Sequence, residues 1–198
     1  MNHPSFKQNS DIIFDYITSL FPIWCTGGFF MKNKMIKKMT FASMITAIYF
    51  VLCLIEGHIA SGPIANIRFA EGLMIFALFV PETIIGIALG CFTYNLFFGF
   101  GIIDALIGTL ATILGGLFIL IIKRAIKNEK IHICIFGLGL ILFNAILVPI
   151  VLILNIPDLN WGFYWYEFMI VGVGELIAVY TIGIPLYFST KRFMSEKY

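Results

Sequence analysis

The 198-residue sequence has little charge and lacks the motifs that mark nucleotide or hydrolytic chemistry. Charged residues make up 12% of the chain and hydrophobic residues 60%, whereas about 45–50% apolar is usual for a soluble domain. A G-x-x-x-x-G-K-[ST] loop for nucleoside triphosphates is missing, as are H-E-x-x-H and G-x-S-x-G. Neither ATP binding by the chain itself nor an enzymatic activity is therefore predicted.

Cysteine and histidine are too scattered to predict a metal, redox or cofactor site. The four cysteines are Cys25, Cys53, Cys91 and Cys134. They share no metal-ligand or redox spacing, and we interpret them as small apolar filler. The three histidines are also dispersed, and His58 is a minor candidate for ligand contact.

The abundant residues predict an all-α integral membrane protein. Mean hydropathy is +0.97, and phenylalanine alone occurs 21 times. Such a chain is typical of membrane-spanning helices. The apolar segments are 36–56, 64–80, 82–98, 102–123, 132–154 and 164–189. Residues 71–98 fit either one long tilted helix or two helices broken at Pro81, where Glu82 would suit a helix N-terminus.

The positions of the basic residues favour six transmembrane helices with both termini in the cytoplasm. Basic clusters precede the first segment, follow the fourth, and follow the sixth. Cytoplasmic loops collect lysine and arginine, and an even number of spans puts all three clusters on one side. We therefore expect a multi-pass plasma-membrane protein. Membrane topology explains the basic residues, so no nucleic-acid partner is predicted.

Residues 1–30 differ from the rest of the chain. They contain Asp11, Asp15 and several helix breakers, and a second start-like run begins at Met31. We predict that 1–30 is an N-terminal extension, either upstream of the native start or a dispensable arm, and that 31–198 is the six-helix membrane domain. An interfacial helix over 11–24 is the alternative.

Two further patterns concern packing and the membrane surface. Trp161, Tyr164 and their aromatic neighbours fit an interfacial belt or a lid over a flat ligand. Small residues four apart predict close helix packing, and Ser43/Ala47 on the first helix would suit contact with another protein.

Seven charged side chains lie inside or at the mouths of the apolar segments. A charge at the bilayer centre costs roughly 2.5–3.5 kcal/mol on insertion scales, so several together predict a polar cavity. They are Glu56, Arg68, Glu71, Glu82, Asp104, Glu167 and Glu175.

Each candidate has a structural reading beside the functional one. Arg68 and Glu71, three apart, could form an internal ion pair or face a ligand. Glu167 and Glu175, eight apart on one helix stripe, lack a basic partner on that helix; Glu167 could instead be hydrated. Asp104 fits the N-terminus of its helix.

Two amides complete the candidate set. Asn95 and Asn144 lie in apolar runs and offer donors and an acceptor, which would complement a purine-like edge. Hydrogen bonding between helices is the alternative use of both side chains.

The ordered residues resemble one family over about 36–192. They are Ile67-Arg-Phe-Ala-Glu71-Gly-Leu, Pro81-Glu-Thr-Ile-Ile-Gly86, Gly90-Cys-Phe-Thr-Tyr-Asn95-Leu, Asp104-Ala-Leu-Ile-Gly108-Thr-Leu-Ala-Thr and Gly172-Val-Gly-Glu175. This set resembles the queuosine-precursor transporter (QueT) family. Gly72 is a departure, since alanine is expected there, and should loosen its helix locally.

The resemblance implies a substrate-binding S component of an energy-coupling factor (ECF) transporter. It implies a six-helix fold, an outward pocket, a transmembrane T component and two ATPase subunits as partners. The implied ligand is a 7-deazapurine, such as pre-queuosine-1, its nitrile precursor or queuine. The residues agree, because a deazaguanine offers donors to a carboxylate and a carbonyl to an amide.

The predicted substrate contacts fall into two groups. The first choices are Glu71, Asn95, Asn144, Glu167 and Glu175, and the second choices are Arg68, Asp104, Trp161 and Tyr164. No catalytic residue is predicted. The alternatives are an S component for another flat vitamin or purine, a small intramembrane carboxylate enzyme, or a structural subunit without a ligand.

Overall fold

The computed structural model describes residues 34–57, 67–126, 128–158 and 160–197. The 1–30 prediction therefore concerns residues outside the described ranges, as does His58. Chain contacts define two units, 1–37 and 38–198, and the candidate residues lie in the second. The elements in order are α1 (Lys34–Glu56), a 3₁₀ helix (Phe69–Leu78), α2 (Thr83–Phe98), α3 (Ile102–Ala125), α4 (Glu129–Ile135), α5 (Leu138–Asn155), a short 3₁₀ turn (Trp161–Phe163) and α6 (Tyr164–Lys197).

The predicted all-α membrane fold is confirmed. Each of the six apolar segments contains a helix, and the described ranges contain no strand. Four helical stretches have the length and hydropathy to cross a bilayer. They are Lys34–Glu56, Ile102–Ala125, Glu129–Asn155 and Trp161–Lys191. The number of crossings and the side of the termini stay predictions.

Two shorter apolar helices fill the middle of the chain. The open question at Pro81 resolves as two helices, because the 3₁₀ helix ends at Leu78 and α2 begins at Thr83. A proline cannot donate a backbone hydrogen bond, so it favours a break followed by a new helix. The Thr83 N–H donates to the Val80 carbonyl at 3.0 Å, which closes the connecting turn.

The 3₁₀ helix is unusual for its length of ten residues, since 3₁₀ runs beyond three or four residues are uncommon. Residues 70–78 are all buried. A 3₁₀ helix rises about 2.0 Å per residue, against about 1.5 Å in an α-helix, so it extends further per residue. Irregular backbone is tolerated at membrane depth where protein surrounds it, and α6 packs closely along this helix.

Glycines permit the close helix approaches that the small-residue spacing predicts. A Cβ on Gly86 would lie 2.4 Å from the Ala42 carbonyl oxygen of α1. A Cβ on Gly72 would lie 2.6 Å from the Cβ of Ile182 on α6. Gly72 therefore allows the 3₁₀ helix to contact α6, a packing role that the expected local loosening did not include.

Contacts gather basic residues at one end of the 38–198 unit, here called the basic end. Lys38 pairs with Glu82 at 3.0 Å, and the Lys123 ammonium donates to the Leu78 carbonyl at 2.6 Å. Glu129 pairs with Lys191. One residue from each of the three predicted basic clusters thus makes a contact at Glu82, Leu78 or Glu129, and the number of crossings stays a prediction.

Candidate binding site

Most of the candidate residues are buried in the structure. The buried charged and amide side chains are Arg68, Glu71, Asn95, Asp104, Asn144, Glu167 and Glu175. The two exceptions are Trp161 and Tyr164. Four buried carboxyl groups accompany one buried basic side chain, Arg68, in the part of the chain that the structure describes. We call Arg68, Glu71, Asn95, Asn144 and Glu175 the polar cluster.

Glu71 lies in the first turn of the 3₁₀ helix and has one protein partner for its carboxyl group. The Tyr49 hydroxyl, from α1, donates to Glu71 Oε1 at 2.7 Å. The other oxygen, Oε2, is buried without a hydrogen-bond partner among the described residues. One acceptor of Glu71 is thus used to position the side chain, and the other is left for a further donor.

Arg68 lies immediately before the 3₁₀ helix, with a non-helical backbone. The Glu71 N–H donates to the Arg68 carbonyl at 3.0 Å, so the two residues share one turn. The Arg68 guanidinium interacts electrostatically with Glu71, Glu175 and Asp104. Arg68 therefore interacts with several carboxyl groups. An internal ion pair with Glu71 and a contact with a ligand both remain open for Arg68.

Glu56 fixes the start of the 3₁₀ helix. Its Oε1 accepts a hydrogen bond from the Ala70 N–H at 3.0 Å. A helix N-terminus presents unpaired N–H groups, and Glu56, at the end of α1, satisfies one of them. Glu56 thereby helps to position Glu71, the next residue along the chain from Ala70.

Asn95 and Asp104 meet where α2 turns into α3. Asn95 Nδ2 lies 3.5 Å from both Cys91 Sγ and the Asp104 carbonyl, and its Oδ1 is buried without a described partner. Asp104 Oδ2 accepts from the Phe100 N–H at 3.0 Å. This hydrogen bond supports a structural role for Asp104 at the start of α3, and a ligand contact by Asp104 stays a prediction.

The Asn144 and Glu175 side chains face each other across α5 and α6. A Cβ on Gly172 would lie 3.5 Å from the Ala145 Cβ, and Val148 packs with Val171 in one apolar cluster. Asn144 interacts with the Glu175 carboxyl. Even so, Asn144 Nδ2 and Glu175 Oε2 are both buried and without a hydrogen bond to any described residue.

Glu167 lies two turns from Glu175 on α6. It is 1% exposed, and its Oε2 also has no described partner. Neighbouring residues thus cover the Glu167 side chain, and both the hydrated position and a ligand contact stay predictions. Eight residues of α-helix separate the two carboxyls by about 12 Å along the axis.

The aromatic segment lies at the surface rather than within the polar cluster. Trp161 is 64% exposed and Trp165 is 72% exposed. The Tyr164 hydroxyl donates to the Ile146 carbonyl at 3.0 Å. The exposure favours the interfacial belt, and the contribution of Trp161 and Tyr164 to ligand binding stays a prediction.

Sequence reasoning missed the role of Tyr49. The residue lies in an apolar run, where an aromatic side chain gives no sign of its partner. Thr46 Oγ1, one turn away, donates to the Gly86 carbonyl at 2.8 Å across the α1–α2 contact. Tyr49 lies on the same side of α1, next to Gly90.

The polar atoms of the candidate site that lack described partners include both acceptors and a donor. Among the described residues, no group of three His, Cys, Asp or Glu side chains could hold a metal. Buried polar atoms without partners cost about 1–3 kcal/mol each unless a ligand or water satisfies them. Acceptors from Glu71, Asn95 and Glu175 and a donor from Asn144 would suit a polar, donor-rich molecule.

The comparison with protein families gave one match. A family model described as QueT transporter covers residues 39–192. No curated protein and no solved structure gave a significant match.

Proposed function

Because the chain belongs to the QueT transporter family, we propose that it is the substrate-binding S component of an ECF transporter that imports a 7-deazapurine precursor of queuosine. The chain is a multi-pass plasma-membrane protein of a transporter family. The polar cluster is the observation that carries the substrate assignment. Its buried acceptors and donor are what a flat, hydrogen-bonding heterocycle requires.

The charge balance supports a cationic member of the substrate class. Buried carboxyls outnumber buried basic groups four to one among the described residues. A positively charged aminomethyl substituent would offset part of this excess, whereas a nitrile would not. We therefore favour pre-queuosine-1 over its nitrile precursor.

Glu71 is well suited to the ligand cation. Its Oε2 is free of described partners, while the Tyr49 hydrogen bond holds the carboxyl in place. Glu167 is a second acceptor, two turns from Glu175 on α6, that could receive the same ammonium or an extended substituent. Both side chains are buried, which strengthens an ion pair relative to one in water.

Two features support the proposed partners: the sequence has no nucleotide-binding loop, and α1 exposes small residues. Without a nucleotide-binding loop in the sequence, the energy for import would come from separate ATPase subunits through a T component. Ser43 and Ala47 are both exposed on α1, as a helix-packing face for a transmembrane partner requires. This face is our candidate for contact with the T component.

Ligand titration of the purified protein tests the substrate. We expect measurable binding of pre-queuosine-1 and weaker binding of guanine, which lacks the aminomethyl group. Queuine would report tolerance of a larger substituent, and riboflavin would represent another flat vitamin. Absent deazapurine binding together with tight binding of riboflavin or guanine would reject the proposed cargo.

Copurification tests the assembly. Mass spectrometry of a gently solubilised complex should find a T component and two ATPase chains with this protein. Recovery of the protein without any such subunits, under conditions that preserve ligand binding, would contradict membership of an ECF complex.

A further inference from the structure

The Asn144 amide and the Glu175 carboxyl interact with each other, and each keeps one polar atom that no described residue satisfies. Asn144 Nδ2 and Glu175 Oε2 have no hydrogen-bond partner among those residues. Asn144 is 3% exposed and Glu175 is 1% exposed, so bulk water does not reach them in quantity. Burial without partners costs free energy unless a ligand supplies them.

Helix packing holds the two side chains together. Contacts at Ala145–Gly172 and Gly137–Val179 set α5 and α6 antiparallel in this region. Asn144 and Glu175 lie between these two contacts. A donor and an acceptor are thus presented side by side from two packed helices, an arrangement suited to one planar ligand edge.

We propose that Asn144 and Glu175 read the edge of a guanine-type base. The Asn144 amide nitrogen donates to the ring carbonyl, and the Glu175 carboxylate accepts from the ring N–H and the exocyclic amine. This order of acceptor and donors along a guanine edge matches an amide nitrogen beside a carboxylate. The assignment rests on the proposed function and makes this pair the determinant of base specificity.

The other carboxyl and amide of the polar cluster are less suited to that edge. Glu71 already accepts from Tyr49, and Asn95 directs its amide nitrogen toward Cys91 Sγ and the Asp104 carbonyl. The atoms that these two side chains leave without a described partner are both acceptors, Glu71 Oε2 and Asn95 Oδ1. Neither side chain supplies the neighbouring donor that a ring carbonyl needs.

Ligand analogues test the pair through affinity ratios. The probes are 7-aminomethyl-7-deazaguanine, its analogue without the 2-amino group, and its analogue with a 6-amino group in place of the carbonyl. The unchanged protein should bind the parent at least about tenfold tighter than either analogue, since hydrogen bonds to charged groups contribute about 1.5–3 kcal/mol.

Two near-isosteric variants should change those ratios differently. Glu175→Gln should reduce the preference for the 2-amino group to within about threefold, because the charged acceptor is lost. Asn144→Asp should shift the ratio toward the 6-amino analogue by about tenfold or more, because it replaces a donor with an acceptor. A residue that only supports the fold would weaken all three ligands alike.

The control is Asn155→Asp on the same helix, where the amide donates to the Val151 carbonyl at 2.8 Å. It should leave both ratios unchanged. If the protein binds 7-aminomethyl-7-deazaguanine but neither Glu175→Gln nor Asn144→Asp alters the affinity ratios, the assignment of this pair is overturned. The proposed function would then remain intact. A protein that binds no deazapurine would instead refute the proposed function and the inference with it.

If Glu175→Gln abolishes ligand binding completely, a further variant keeps the assignment testable. Glu175→Asp retains both acceptors and should restore measurable binding with a preference for the 2-amino group. Thermal unfolding in detergent verifies that each variant is folded. A folded Glu175→Asp protein without that preference would overturn the assignment.

Discussion

The polar cluster and the basic end treat charge in opposite ways. At the basic end, Lys38 and Glu82 pair at 3.0 Å while each side chain stays about one-third exposed. In the polar cluster, carboxyl oxygens and amide atoms are buried without described partners. Glu82 Oε2 at the basic end also lacks a described partner, but its carboxyl group has the Lys38 ammonium at Oε1. Exposed pairs contribute little to stability, whereas unsatisfied buried groups cost about 1–3 kcal/mol each. The basic end thus supplies a lysine to its carboxyl group, and a ligand donor for the polar cluster stays a prediction.

The 3₁₀ helix joins the two regions. Its first turn carries Glu71, and its last carbonyl, from Leu78, accepts from Lys123. Its intervening residues are buried and pack against α6. One central element therefore positions a candidate ligand contact and is anchored at the basic end.

The largest expected effect separates the two regions through matched Glu→Gln variants. Glu71→Gln should weaken pre-queuosine-1 binding by about 30-fold or more, because a charged acceptor for the ligand is lost. Gln keeps a carbonyl oxygen that can accept from the Tyr49 hydroxyl, so the ligand-free protein should still fold. Glu82→Gln should leave binding within about twofold. Ligand titration and thermal unfolding of both variants would measure this, and equal effects on binding would erase the distinction.

A second expected effect concerns the packing that supports the polar cluster. Gly86→Ala places a Cβ 2.4 Å from the Ala42 carbonyl oxygen, so α1 and α2 must separate and Tyr49 must move with α1. We expect a loss of about 1–3 kcal/mol of stability, measured by chemical or thermal unfolding in detergent, and weaker ligand binding.

Gly172→Ala is the matched control for Gly86→Ala. Its Cβ would lie 3.5 Å from the Ala145 Cβ, an ordinary contact distance. It should change stability by less than about 1 kcal/mol. Equal destabilisation by the two substitutions would show that the α1–α2 approach does not limit stability.

A third test uses a surface outside both regions. Ser43→Leu or Ala47→Leu should reduce association with the T component by about tenfold, because a close helix contact tolerates only small side chains. Ligand binding by the isolated chain should be unchanged. Pull-down of the complex measures association, and Val173→Leu, on an exposed position of α6, is the control. Full assembly with both α1 variants would show that this face is misassigned.

The smallest expected effect lies at the basic end. Lys123→Met removes the donor to the Leu78 carbonyl and should cost about 1 kcal/mol of stability. Lys38→Met breaks a partly exposed pair and should cost no more than about 1 kcal/mol. Thermal unfolding would measure both, and ligand affinity should hold within about twofold. A large loss of affinity in either variant would instead couple the two regions.

The predictions from sequence succeeded for features that depend on the chemistry of local residues in a membrane. The helices follow from hydrophobicity, and small-residue spacing predicted close helix packing. Proline chemistry explains the break at Pro81, which the sequence left open, and the structure alone identified α1 as the helix that Gly86 contacts. Prediction was incomplete around Arg68 and Glu71. Their spacing suggested one helical face, but Arg68 precedes the helix and the helix itself is 3₁₀.

Contacts between distant segments explain most of what was missed. Tyr49 and Glu71 are 22 residues apart, and no local pattern connects a tyrosine in an apolar run with that carboxyl group. Glu167 is buried because neighbouring residues cover it, although its place near a helix end suggested hydration. Ligand contacts for all the candidate residues stay predictions.

The amino-acid order alone determined a helical membrane chain with too many acidic side chains for its apolar surroundings. The reason is that hydrocarbon offers no hydrogen-bond partners, so the backbone must bond internally as helices. Each charged side chain in an apolar segment is energetically costly and therefore easy to identify. Only the tertiary structure decided which of those groups found partners. Hydrogen bonding depends on where helices remote in sequence meet, as between Tyr49 and Glu71, and on what their meeting leaves unpaired, as at Asn144 and Glu175.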